Sequence, residues 1–335
     1  MKNLIIPENY SSPLTLRETQ SAVKYIKDTF QKKLIAGLNL DRITAPLIVF
    51  SDSGINDDLN GVERKVSFSM KEIDGTAEVV QSLAKWKRMA LHRYGYQNGE
   101  GIYTDMNALR RDDDVDNTHS IFVDQWDWER VLTREDRNTD FLKKTVETIA
   151  HAVVDTFYEV KAKYPKIQGD FNRDVFFITS QELEDMYPDM TSKERENAIT
   201  KEHGTVFISQ IGSVLKSGKK HDGRAPDYDD WSLNGDLFFW HNALNASLEI
   251  SSMGIRVDAQ SLMKQLEICN ATERTKFEYH KMILNDELPL TIGGGIGQSR
   301  LCMLMLDKAH IGEVQVSLWP ADMVEKCKEG NIILL

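Results

Sequence analysis

The sequence predicts an α+β fold, an antiparallel or mixed sheet with helices packed around it. Strand-like runs follow one another without an intervening helix from Gly101 to Glu129 and again from Asp236 to Asp258, a succession foreign to doubly wound parallel sheets. Long stretches of helical periodicity flank those runs. The glycines at 293–297 lack the strand–turn–helix frame and spacing of a dinucleotide or Walker site.

Thr15-Leu16-Arg17-Glu18 has capping-box spacing, and Leu16, Val23, Ile26, Phe30 and Leu34 recur at helical intervals up to Gly37, the expected C-cap. ITAPLIVF reads as a strand broken by Pro46, a residue that belongs at an edge, a bulge or an interface. Val66, Phe68 and Met70 alternate in KVSFSM, and EVVQSLAKWKRMALHRY runs from strand into helix. GIYTDMNALR, IFVDQWDWE, DVFFIT, TVFISQIG, DLFFW, SLEISS and VQVSLWP read as further strands. Helices are expected from Asp140 to Tyr164, from Thr191 to Gly204, and from Gln260 to about Leu284. The polar stretches from Arg134 to Asp140 and from Lys216 to Pro226 read as surface loops, so residues 1–335 are expected to form a single domain.

With 335 residues, 41% apolar and 28% charged, the chain has a globular composition. Its 41 basic and 52 acidic residues give a net charge of −11, which argues against a broad nucleic-acid surface and leaves room for a small basic pocket. The apolar run Leu4-Ile5-Ile6 before Pro7 is too short for a signal peptide, and no segment approaches the roughly 20 apolar residues of a membrane span. A cytoplasmic protein without a membrane or nucleic-acid partner is expected. Cys269, Cys302 and Cys327 are odd in number and lack CxxC spacing, so they suggest neither a disulfide framework nor a zinc cluster.

Three segments carry chemistry. In TIGGGIGQSR, Gly293, Gly294, Gly295 and Gly297 permit close approach of backbone to a ligand, beside a helix whose first turn holds Arg300. A glycine-rich turn with a surface arginine is the other reading. In ALRRDDDVDNTHSIFVDQWDWE, two strand-like runs flank an acidic loop, and Gln125, Asp127 and Glu129 share one strand face, towards solvent or a site. In GDLFFWHNALNASLEISSMGIRVD, a hairpin would bring Asp236 near Glu249, a pair of carboxylates that a phosphate-bound Mg²⁺ would relieve; two rim carboxylates in water is the alternative.

In this order the segments resemble the catalytic core of class II aminoacyl-tRNA synthetases. Gly37-Leu38, Ile43 and Pro46 match the helix–glycine–strand–proline of its motif 1. Arg110 and Gln125-Trp126-Asp127-Trp128-Glu129 match motif 2 in its aspartate-specific form, and Gly293 to Arg300 match motif 3. Gln81 to Arg88 and Glu249 to Arg256 are similar to two further segments of the aspartate subgroup. The strings SLAKWKR, DQWDWER, RAPDYDDW, LNGD, SSMGIRVDA and TIGGGIGQSR, spread over the whole chain, resemble the ammonia-dependent, AMP-forming asparagine synthetase family.

That resemblance implies an aspartate–ammonia ligase using aspartate, ammonia and ATP with Mg²⁺, and a homodimer built on the motif 1 helix and strand. It implies nucleotide contacts by Arg110, His119, Val123, Asp236, Glu249, Ile250 and Arg300, with Asp236 and Glu249 holding the metal. The glycines from Gly293 would lie under the nucleotide or adenylate. Aspartate and ammonia would be held by Asp57, Ser82, Lys87, Gln125, Asp127, Asp229, Ser252, Arg256 and Gly295, and Asp57 or Asp229 would take the ammonium proton. Where the fold usually stacks an aromatic on adenine, Val123 stands, with Phe122 expected on the other face.

Overall fold

The computed structural model describes residues 4–57, 59 and 63–335. Helix α1 (Leu16–Leu38) opens on the expected capping box, the Thr15 side chain accepting from the Glu18 N–H while Glu18 accepts from the Thr15 N–H. Its end differs from expectation: the helix runs through Gly37 and closes at Asn39, which takes a left-handed φ of 56°. Pro46 splits the next segment into β1 (Leu40–Arg42) and β2 (Ile48–Phe50), which join different sheets. β3 (Ser67–Ser69), β4 (Thr76–Val79), α2 (Ala84–Tyr94), β5 (Gly101–Leu109), β6 (Phe122–Val131) and α3 (Thr139–Lys163) follow as expected. Gly37 serves packing: a Cβ there would lie 2.8 Å from Thr148 Cγ2 on α3.

The second half comprises β7 (Phe176–Thr179), α4 (Ser180–Met186), α5 (Ser192–His203), β8 (Thr205–Ser209), β9 (Asp229–His241), β10 (Ala246–Arg256), α6 (Ala259–Ile268), α7 (Glu278–Leu284), β11 (Thr291–Gly297), α8 (Gln298–Met305) and α9 (Ala321–Glu329). α4, absent from the sequence reading, starts on a capping box between Thr179 and Glu182. The single helix expected from Gln260 to Leu284 is two, because Asn270 turns left-handed at φ 52° and a 3-10 turn (Thr272–Lys276) intervenes. The expected strand at VQVSLWP does not form. Gln315 is tied by its side chain to Asp124 and Ser299, and Ser317 to Ser120, so side chains rather than a ladder anchor that segment, and Val316 and Leu318 face solvent.

Among the described residues, eight strands form one sheet in the order β1-β5-β6-β11-β10-β9-β8-β7, and three form a small one, β2-β4-β3. β1 pairs parallel with β5 and β7 with β8; the pairs between are antiparallel. This is the expected mixed sheet. One face is covered by α1, α3 and α8, where Trp126 and Trp128 are fully buried and Trp126 meets the Phe30 ring at 4.8 Å. Burial of side chains of this kind contributes about 2 kcal/mol each. Strand alternation then sends Gln125, Asp127 and Glu129 to the opposite face. Among the described residues no helix is long and apolar enough to cross a membrane.

Candidate active site

That opposite face carries a cavity of about 480 Å³. Ser82, Lys87, Arg110, His119, Val123, Gln125, Asp127, Asp229, Glu249, Ile250, Ser252, Arg256, Gly295 and Arg300 all line it. Asp57 and Asp236 are buried and do not line it. Asp57 is buried next to Tyr228, whose phenol is pushed up by burial and then by the Asp57 and Asp229 charges.

The floor of the cavity is an ion cluster. Lys87, from α2, is buried against Asp127, donates to the Trp128 carbonyl at 2.9 Å and lies 3.8 Å from Glu129. Arg256, at the end of β10, meets Glu129 through Nε at 2.9 Å and Nη2 at 2.7 Å, and donates to Asp229 through Nη1. Thr291 Oγ1 donates to Glu129 at 2.6 Å. Burial pushes Lys87 down, with Asp127 and Glu129 opposing. It pushes Asp127 and Asp229 up, against the pull of Lys87 and Arg256 respectively. For Glu129 burial is outweighed by Arg256, Lys87 and Thr291 together, and the carboxyl moves below its usual range. With all five groups ionised, three carboxylates face two cations, so the floor keeps a negative charge for an ammonium group.

The glycine-rich segment is a strand feeding a helix, as the motif 3 match implies, and not the turn that its composition also allowed, and this strand makes the cluster possible. β11 lies between β6 and β10, with Gly293 opposite Glu129 and Gly254, and Gly295 opposite Asp127 and Ser252. A Cβ on Gly293 would overlap Glu129 Oε2 and come 2.6 Å from Arg256 Nη2; one on Gly295 would overlap Gln125 Oε1. These two glycines let side chains from the flanking strands meet across a third strand. The space expected under a nucleotide is therefore filled at these positions by the protein's own Glu129, Arg256 and Gln125.

The outer end carries arginines among carboxylates. Arg110 follows β5; its N–H donates to the Ile121 carbonyl at 2.9 Å and its Nη2 to the Gln81 carbonyl at 3.4 Å, while its buried Nε has no hydrogen-bond partner. Arg300, in the first turn of α8, donates to the carbonyls of Thr118 at 3.2 Å and Glu249 at 3.3 Å. His119 Nδ1 lies 2.9 Å from Asp116 Oδ1 and so holds the acidic loop, yet the residue also borders the cavity. Phe122, expected on the other face, borders the cavity beside Val123, because it begins its strand half-buried at the rim.

The β9–β10 hairpin pairs Asp236 with Ser252, and a bulge after Glu249 re-aims that side chain towards the cavity. Asp236 lies within β9 and not at a strand end as its spacing suggested. Its pKa is raised to about 7 by burial, with Glu249 and Asp222 adding and Arg224 opposing. Asp236 Oδ2 accepts from Arg224, while its buried Oδ1 has no partner. An orphaned carboxylate oxygen beside a second carboxylate fits a hard divalent cation. Among the described residues no three carboxylate, histidine or cysteine side chains are grouped to hold a metal alone, so such an ion would need phosphate oxygens or water as well. Arg224 itself was missed, since the stretch from Lys216 to Pro226 read as a surface loop; its residues Asp222 to Ala225 form one wall of the cavity.

A family model described as aspartate-ammonia ligase matches residues 17–331. The aspartate–ammonia ligase of Levilactobacillus brevis is 56% identical over 99% of this chain and all of its own. That of Clostridium tetani is 56% identical over all of this chain and 98% of its own. Among solved structures, an asparaginyl-tRNA synthetase from Pyrococcus horikoshii complexed with asparaginyl-adenylate superposes with a TM-score of 0.66 at 17% identity, covering 94% of this chain and 76% of that one. The Entamoeba histolytica asparaginyl-tRNA synthetase, also with asparaginyl-adenylate, gives 0.63 at 14% identity over 90% of this chain and 66% of its own.

Proposed function

The chain belongs to the aspartate–ammonia ligase family, and from that premise we propose that its cavity joins ammonia to the side-chain carboxyl of L-aspartate, using ATP and releasing L-asparagine, AMP and pyrophosphate by way of a β-aspartyl-adenylate. A carboxylate resists attack by ammonia because its oxygen is a poor leaving group, and adenylation supplies a better one. In this reading the floor holds the amino-acid end of aspartate. Lys87 and Arg256 take the α-carboxylate, Asp229 the α-ammonium, and Gln125 an orienting hydrogen bond, with Ser82, Asp127, Ser252 and Gly295 closing the walls. The β-carboxylate then points outward to the α-phosphorus of ATP.

Attack by a β-carboxylate oxygen forms the acyl–phosphate bond and expels pyrophosphate. Arg110 meets the charge that builds on the α-phosphate. Arg300, His119, Val123, Glu249 and Ile250 hold the nucleotide, and Arg300 suits either the adenine face or the γ-phosphate. Asp236 and Glu249 would hold Mg²⁺, which when bound neutralises polyphosphate charge. With Asp229 on the α-ammonium, Asp57 takes a proton from ammonium, and neutral ammonia attacks the acyl carbon, breaking its bond to the AMP oxygen. The observation that carries this reading is one cavity with cations placed at both ends: Lys87 and Arg256 set among carboxylates in the buried floor, and an Arg110 at the outer end whose Nε is unpartnered.

We read residues 1–335 as one catalytic unit located in the cytoplasm, with ammonia rather than tRNA as acceptor, in keeping with the net charge of −11. Leu47, Ile48, Phe50 and Phe68, exposed on or beside the small sheet, support pairing of two copies there. Incubating the purified protein with aspartate, ATP, Mg²⁺ and ammonium should yield asparagine with equimolar AMP. ADP as the product would contradict the reading.

A further inference from the structure

We infer that Arg224 is a resident cation of the nucleotide end: it neutralises Asp236 while the cavity is empty, then leaves that carboxylate for the polyphosphate when a divalent ion arrives. The inference rests on the assignment of Asp236 and Glu249 as cation ligands. Arg224 lines the cavity with a side chain only 12% exposed. Its Nη2 donates to Asp236, and its Nη1 donates to Asp222 Oδ2 at 2.6 Å and to the Gly223 carbonyl at 2.7 Å. One oxygen of Asp236 is thereby occupied and the other is left buried and unpartnered.

A guanidinium keeps its proton throughout the range in which proteins work. Arg224 therefore cannot make way for a metal by losing its proton; it has to move. A divalent ion on Asp236 and Glu249 would sit against that charge, and repulsion between like charges in a buried site is costly. The polyphosphate supplies the matching destination, because a planar guanidinium bridges two phosphate oxygens as well as it does a carboxylate. Arg224 would thus screen the carboxylates in the empty site and grip the pyrophosphate group in the filled one.

The test uses Mn²⁺ in place of Mg²⁺, with free Mn²⁺ read by its electron paramagnetic resonance without nucleotide, and pyrophosphate binding read by calorimetry at saturating Mg²⁺. Arg224→Gln should bind Mn²⁺ about tenfold more tightly than the wild type and pyrophosphate about tenfold more weakly. Arg224→Lys, which keeps the charge and loses the fork, should leave Mn²⁺ binding near the wild-type value and still weaken pyrophosphate. This second variant serves should the glutamine form not fold. Equal Mn²⁺ affinity in the wild type and Arg224→Gln, or an unchanged pyrophosphate affinity in Arg224→Lys, would overturn the inference. Asp236→Asn separates it from the reading beneath it: if that change leaves Mn²⁺ binding untouched, the metal assignment itself fails.

Discussion

Arg110 reaches the cavity with almost no structural duty, since its guanidinium makes one long hydrogen bond to the Gln81 carbonyl and keeps Nε unpaired. Arg110→Ala should lower kcat by at least about 10²–10³, the usual loss when a preorganised donor to a developing anion is removed, while the thermal midpoint stays near that of the wild type. A collapse of the midpoint would make the residue structural. His310 makes the opposite kind of prediction. Burial pushes its imidazole down to about 4, with Asp116 opposing. Since an unfolded histidine titrates near 6.5, the unfolded state binds more protons between about pH 6.5 and 4, and stability falls across that window as pH drops. Urea unfolding at pH 7 and pH 4.5 should show the wild type losing about 2–3 kcal/mol more than His310→Gln; equal losses would contradict this. At this scale the sequence was most readable where a residue stood inside a patterned string, as Lys87, Arg110, Gln125 and Arg256 do. Neither Arg224 nor Glu129 was given a part in the site, although Glu129 was placed on the same strand face as Gln125 and Asp127, because a charge in a polar loop or on a strand face looks solvated until its neighbours are known.

β11 shows how an element can be recognised while part of its purpose stays hidden. The glycines at 293–297 were read as room for a ligand, but what crosses Gly293 is the Glu129–Arg256 pair. No local pattern tells that β11 will lie between β6 and β10, so the cross-strand contact was invisible in the sequence. Gly293→Ala should raise KM for aspartate at least tenfold and cost about 1–3 kcal/mol of stability through overpacking, with KM for ATP little changed. An unaltered aspartate KM would sink this account of the strand. Elsewhere, the capping box at Thr15 marked a helix start, whereas the one at Thr179 went unread. Helix ends and gaps were harder, since Asn39 and Asn270 stop helices by adopting left-handed φ, which a periodicity window does not register.

Across the whole molecule, the antiparallel heart of the sheet holds two charged ends in one cavity, so that a dicarboxylic amino acid can be fixed by one acid group while the other is presented to a nucleotide. The strand succession without intervening helices made the fold class readable, and the ordered strings made the site readable; the pairing order and the wall built by residues 222–225 come only from tertiary packing. The direction in which aspartate lies is the claim on which everything else depends. It is tested most directly with aspartate carrying ¹⁸O in its β-carboxylate alone. Attack by that group on the α-phosphorus, followed by ammonia at the acyl carbon, places one labelled oxygen in the phosphate of AMP and leaves one in asparagine. Unlabelled AMP, or label emerging in inorganic phosphate, would contradict it.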